Sequence, residues 1–430
     1  MTFGGGILLP QRYTNNTTGP GSLHLDFLLG APLDSRITFT RAGPGLATFV
    51  NSSGVLETAA INTPRFDHDP ITRAPLGLLI ESQRTNSIRN STGIGSVSGN
   101  PGTLPTNWTA ATTASGITRE IIGTGTEDGV PYIDIRYSGT PTLAIPINIA
   151  FEAANFITAA SGQTWTQSLY VTLQAGSFAG TQTTLSILGT DGTSGLESFG
   201  STNITSTPAN LVASRLFLTA TLANASTTNV QPRLRISTTI SVPFDITLRI
   251  GLSQIELGAF ATSVIPTTTA QVTRVADAAV MTGTNFSSWY NQTEGTIVWN
   301  ADTFSTAAAN GVVNINNNSA ANRIYGYFSS TNALGIVTVS GSELVSFNSG
   351  TLSGGPSGTT AFAYALNNFA QATRGVLQTP DDAGLLPTVS QMNIGTSHAS
   401  IQNLNGHIRT ITYYPVRLTN AELQALSSSS

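Results

Sequence analysis

In the stretch Tyr132-Ile133-Asp134-Ile135-Arg136-Tyr137, Ile133, Ile135 and Tyr137 alternate with Tyr132, Asp134 and Arg136. A period of two marks a strand with one buried face and one wet face. The pattern continues downstream. Trp165, Leu169, Val171 and Leu173 share one parity, and residues 183–188, 215–222, 232–237 and 245–252 read as further short strands. Beyond them come 295–301, 321–328, 333–340, 344–348, 361–366 and 406–414, with no amphipathic helix between. Strands at this frequency predict an all-β chain of two β-sandwich (jelly-roll) domains. The last element differs. Thr419-Asn420-Ala421-Glu422 offers a helix cap and an early acid, and Leu423 and Leu426 fall on one face, so a short C-terminal helix is expected.

Upstream of the strands, residues 1–90 hold only short extended pieces at 22–29 and 36–40, punctuated by Gly19-Pro20 and Gly43-Pro44. Leu23, Leu25, Phe27, Leu28 and Leu29 are too many to leave wet and too scattered for a core of their own. They are expected to form an attachment or oligomerisation surface. A Ser, Gly and Asn-rich stretch at 90–105 and a Pro266-centred threonine run within 261–277 read as links. The expected division is 1–90 for attachment, 91–277 for the first sandwich and 278–430 for the second.

Composition narrows the function. Only 9% of the 430 residues are charged, against about 25% in ordinary globular chains. All 18 basic residues are arginine and the formal net charge is −4, which excludes the concentrated positive stripe that nucleic acids require. Cysteine is absent, so there is neither a disulfide framework nor a thiolate metal site. Residues 1–10 lack the basic flank and long apolar core of a signal peptide, and no run reaches the roughly 18 apolar residues of a membrane span. No membrane insertion is expected. Such a chain could reach the outside on a particle released from a cell.

Three segments carry a resemblance. The first runs Arg36-Ile37-Thr38-Phe39-Thr40-Arg41-Ala42, then Pro64-Arg65-Phe66-Asp67-His68-Asp69-Pro70, then Gly77-Leu78-Leu79-Ile80-Glu81 and Arg84-Thr85-Asn86. The second is Gln254-Ile255-Glu256-Leu257-Gly258-Ala259-Phe260, followed by Ile265-Pro266 and Val272-Thr273-Arg274-Val275-Ala276-Asp277. The third is Leu404-Asn405-Gly406-His407-Ile408-Arg409 with Tyr413-Tyr414-Pro415 and the capped helix. Together they resemble head-spike and tail-fibre proteins of tailed phages and gene transfer agents. In that family a carbohydrate-binding jelly roll precedes a concanavalin-like or laminin-G-like sandwich. The resemblance implies a non-enzymatic protein on the virion surface, a head spike before a tail fibre or baseplate protein, adhering to host capsular or surface polysaccharide. A particle structural protein would hold it, as a homo-oligomer.

The residues admit other chemistry. Asp67-His68-Asp69 has metal and acid-base groups, but neighbours on extended chain point to opposite sides, and Pro70 favours a turn. Glu127-Asp128 and Asp381-Asp382 are acid pairs set among glycine and proline, as solvated turns are. A capsule depolymerase would need two carboxylates about 5–10 Å apart. A purely structural decoration protein would need no site at all. No cofactor is expected, although loop carbonyls and scattered Asp could hold calcium.

For sugar binding, Asp134 and Arg136 project together, as do Arg233 and Arg235, while Arg249 faces away from Leu248 and Ile250. If these strands share a sheet, they make a polar face suited to carboxylated polysaccharide, because guanidinium forks match carboxylates. Arg323, Tyr325 and Tyr327 form a second candidate platform. The competing reading is a solvated outer sheet face. Trp165 and Trp299 read as core, and His24, His398 and His407 as isolated structural residues.

Overall fold

The alternation at residues 132–137 lies inside the strand Val130–Gly139, which turns back on Ile117–Glu127 through Asp128 and Gly129. Both turn residues have positive φ, 48° and 79°, the twist that a two-residue hairpin needs to match its strands. This computed structural model describes residues 21–43, 46–110 and 116–428. Residues 1–20, which include the stretch tested as a signal peptide, lie outside them.

The first sandwich has two sheets. A five-stranded sheet runs Arg215–Thr221, Thr164–Gly176, Phe244–Leu257, Val130–Gly139, Ile117–Glu127. A six-stranded sheet runs Gly195–Gly200, Thr181–Thr190, Asn229–Thr238, Ile147–Ala150, Thr109–Ala110, with Ile157–Thr158 also on Asn229–Thr238. Inward residues of both sheets, among them Ile133, Ile135, Tyr137, Leu185, Ile187, Leu234, Ile236 and Leu248, form one buried cluster with Trp108 and Trp165.

The second sandwich pairs a seven-stranded sheet with an eight-stranded one. The N-terminal segment does not stand apart from it. Leu23–Asp26 and Pro75–Ile80 both pair antiparallel with Gly406–Tyr414, Phe66–His68 pairs with Pro75–Ile80, and Thr38–Thr40 pairs with Ala278–Thr282. Leu23, Leu25 and Phe27, expected as an attachment surface, are 2–3% exposed in the core with Trp289 and Trp299. Leu28 is half-buried and Leu29 is 81% exposed. The expectation for this segment is corrected accordingly: apolar residues too scattered for their own core complete another.

The link expected at 261–277 is also corrected. Val272–Arg274 pairs with Arg84–Asn86, and the segment carries half of a buried ionic cluster. Arg65 donates to Glu81 at 2.7 Å and to Asp277 at 2.6 Å, Arg41 donates to Asp277 at 3.0 Å, and Arg274 donates to Glu81. Ser263 donates to Glu81 at 2.6 Å. Arg65, Glu81, Arg274 and Asp277 are fully buried. Beside this cluster Val50, Leu56 and Val264 cover Tyr170, Leu211 and Leu252 on the outside of the five-stranded sheet. Cluster and cover join the first sandwich to the N-terminal segment and, through it, to the second.

The helix Asn420–Ser427 forms as expected, with a reciprocal Thr419–Glu422 capping box. Leu423 packs over Ala361, Ala363, Ala370 and Ala372 on the eight-stranded sheet, where small side chains leave room for a helix.

Candidate saccharide-binding faces

The arginines nominated in the first sandwich do not share a sheet. Asp134, Arg136 and Arg249 lie on the five-stranded sheet, Arg233 and Arg235 on the six-stranded one. On the five-stranded sheet, Asp134 stands directly across from Arg249. The guanidinium makes a two-pronged contact with the Asp134 carboxylate at 2.9 and 2.8 Å and also donates to Glu127. It lies 3.6 Å over the Tyr132 ring. Arg136 forks onto Asp245 at 2.9 and 2.6 Å. Hydrogen bonds to these carboxylates hold both guanidiniums more firmly protonated than usual. Their forks are occupied, and the single Arg-bearing face expected from sequence does not form.

On the six-stranded sheet the situation is the reverse. Leu234 and Ile236 point into the core and turn Arg233 and Arg235 outward. The side chains across from them are short: Ser186 and Ala150 flank Arg233, and Thr184 and Asn148 flank Arg235. Among the described residues neither arginine has an ion-pair partner; Arg233 Nε donates to Gln231 at 2.7 Å, and Arg235 Nε is buried with no hydrogen-bond partner among them. Burial, reinforced by the neighbouring Arg235 charge, lowers Arg233 to about 10. Two like charges this close and this poorly solvated favour an incoming anion. Sequence could not supply the flanking residues, because they come from separate strands.

In the second sandwich, Arg323, Tyr325 and Tyr327 do share a face, but only part of it is presented. Tyr325 is buried, stacks on Tyr327 at 4.7 Å and lies under the Arg323 guanidinium at 4.8 Å. Its hydroxyl donates to Gln402 at 3.4 Å. Tyr325 is therefore the floor, with the half-buried Arg323 and Tyr327 left to touch a ligand. Across the strands lies an amide row in which Asn316 donates to Asn393 at 2.8 Å and Gln391 bonds both at 3.1 Å.

Two other readings meet the structure differently. Asp69 accepts from the backbone N–H of Ile71 and Thr72, as a turn residue. Of the acid pairs, Asp128 sits in a hairpin turn, and Asp381 bridges to Phe369 while its carboxylate accepts from the Ala383 N–H at 3.0 Å. His407, by contrast, is not isolated. Its Nδ1 lies 3.2 Å from Asp302 and its Nε2 lies 3.1 Å from Asp67. Burial works against the ring's charge, but the hydrogen bonds to Asp302 and Asp67 outweigh it and raise His407 to about 9. A separation of 340 residues between Asp67 and His407 hid this contact from the sequence. Among the described residues no cluster of three His, Asp or Glu side chains has the arrangement of a metal site.

No family model matches the chain, and a search of curated proteins found no match. Partial likenesses exist among solved structures. A Ruminococcus gnavus IT-sialidase CBM40 bound to α2,3-sialyllactose is 16% identical, with 32% of this chain and 84% of that chain covered, at a TM-score of 0.27. The NanB sialidase of Streptococcus pneumoniae is 10% identical, with 32% of this chain and 24% of that chain covered, also at 0.27. A structure concerned with ganglioside-dependent cell entry of botulinum neurotoxin type C is 13% identical, with 36% and 40% covered, at 0.28. Likenesses this partial carry no argument about what this chain binds.

Proposed function

We propose that this protein is a non-enzymatic glycan adhesin whose first sandwich engages a carboxylated polysaccharide through Arg233 and Arg235. One observation carries the reading: among the described residues this outward arginine pair has no carboxylate of its own, whereas Arg136 and Arg249 are fully engaged. Planar forks on the sheet, flanked by the half-buried Thr184 and Asn148, offer charge for a sugar acid and short polar groups for hydroxyls. Arg323 and Tyr327 supply a further contact on the second sandwich. The resemblance of the three segments supports a place on a virion surface, as a head spike before a tail fibre, held by a particle structural protein. Of the five apolar residues nominated for that contact, Leu29 is the one left exposed. Repetition as a homo-oligomer would turn weak single contacts into avid adhesion. Binding would need no cofactor; calcium in the loops is tested by chelation.

The experiment is retention of the whole protein on an immobilised carboxylated capsular polysaccharide, with the chain length of the polysaccharide followed in parallel. Retention should be at least about tenfold weaker for Arg233→Ala/Arg235→Ala, and for wild type on the carboxyl-reduced polymer. Equal retention of variant and wild type would overturn the arginine site. Shortened polysaccharide would overturn the non-enzymatic reading.

A further inference from the structure

A pocket of about 310 Å³ opens where Glu294–Asp302 ends beside the start of Gly406–Tyr414. Leu76, Phe304 and Pro356 give it an apolar wall, and Asp302, His407 and Ser357 a polar one. Phe304 is 42% exposed, and its ring meets that of His407 in a T-shaped contact at 5.2 Å. The opposite wall is braced by Arg374, which donates to the carbonyls of Gly355 at 3.1 Å and Ser357 at 2.7 Å.

The ionised groups at the floor cancel. His407 has a carboxylate oxygen at each ring nitrogen, so both nitrogens carry hydrogens and the ring is a cation. Arg409 is the second cation, donating to Asp302 Oδ2 at 2.6 Å. Against them stand the carboxylates of Asp67 and Asp302. At the floor an ionic ligand finds no net counter-charge, and Arg374 behind the opposite wall gives its donors to the carbonyls of Gly355 and Ser357. Asp302 Oδ2 still has a lone pair for a hydroxyl, and Phe304 an open apolar surface. That combination suits a sugar ring, which has one C–H face and hydroxyl edges. The volume lies at the lower end for small-molecule sites, about 300–1,000 Å³.

We infer that this pocket is a second saccharide subsite, taking one neutral hexose unit of a glycan. The inference rests on the reading of the chain as a glycan binder, but not on the arginine pair. Asp67 and Leu76 come from the N-terminal segment, so the subsite is complete only where that segment is in place.

The test is saturation-transfer NMR on the full chain with methyl β-D-galactopyranoside, methyl α-D-glucopyranoside and methyl α-D-mannopyranoside at millimolar concentration. At least one should receive magnetisation, with affinity reduced at least about tenfold by Phe304→Ala and kept by Phe304→Trp. Phe304 is surface-exposed enough that both variants should melt as wild type does. Arg233→Ala/Arg235→Ala should leave the signal unchanged. No transfer to any of the three glycosides, or a signal indifferent to Phe304→Ala, overturns the subsite. If hexosides bind while carboxylated polysaccharide does not, only the arginine site falls; the reverse removes only this pocket.

Discussion

Arg65 and Arg274 at the joint and Arg233 and Arg235 on the six-stranded sheet are the same side chain in opposite settings. At the joint, guanidiniums are fully buried and each touches a carboxylate. On the sheet they are half-buried, adjacent and, among the described residues, without an acid. A buried arginine whose charge is matched holds a structure together, because removing one partner strands the other in a low-dielectric interior. An unmatched arginine at a surface contributes little to folding and retains its attraction for an outside anion. In a chain so poor in charge, where an arginine's carboxylate sits separates structure from recognition.

The comparison breaks first at the joint. Glu81→Gln should lower stability by roughly 3–5 kcal/mol, the cost of breaking a buried pair, read as the change in free energy of chemical unfolding. A loss below about 1 kcal/mol would place the cluster with ordinary surface pairs.

His407 sharpens the contrast as a buried cation matched on both sides. Its folded value of about 9 lies above the ordinary histidine value of 6.5. The stability it contributes is therefore fully present below 6.5 and is lost as pH rises to about 9. The shift corresponds to roughly 3 kcal/mol. Denaturation midpoints should fall across that window in wild type and stay nearly flat there in His407→Gln. A flat wild-type profile would show the ring to be neutral when folded.

The opposite pattern is expected on the sheet. Arg233→Ala/Arg235→Ala should melt within a few degrees of wild type while losing its polysaccharide retention. A large loss of stability would make the pair structural. The smallest effect belongs to Arg136→Ala: Arg136 and Asp245 are both exposed, and neither melting nor retention should change measurably. Lost retention would return the candidate site to the five-stranded sheet.

Period-two alternation was legible wherever one strand face is dry, as at residues 132–137 and 406–414, and the capped helix was legible from Thr419 and Glu422. Strands buried on both faces were legible only where they run apolar, as at 295–301 and 361–366. Asn310–Asn316 is buried at every position, its asparagines included, so no alternation announces it. Residues 23–27 pair with a strand nearly 400 positions away, so neither that partner nor their place in this core was legible, and they read as an attachment surface. The resembling segments have a physical meaning that sequence alone did not show. Arg41, Arg65, Glu81, Arg84, Arg274 and Asp277 are six of their charged residues. Among these, Arg84 pairs with Glu256 of the second segment, and the others form the joint. The ligand-facing candidates Arg233, Arg235, Arg323 and Phe304 all lie outside those segments.

The pairing of Leu23–Asp26 with Gly406–Tyr414 also imposes a schedule on synthesis. His24 and its partner Thr412 are 388 residues apart. At about 5–20 residues per second on the ribosome, the first of these strands waits roughly 20–80 s for the second. Over that interval the first sandwich can close on strands of its own, while Leu23, Leu25 and Phe27 stay without their lid. The period between the two closures is when a nascent chain would most need a chaperone, and when neighbouring copies would be most prone to exchange this strand.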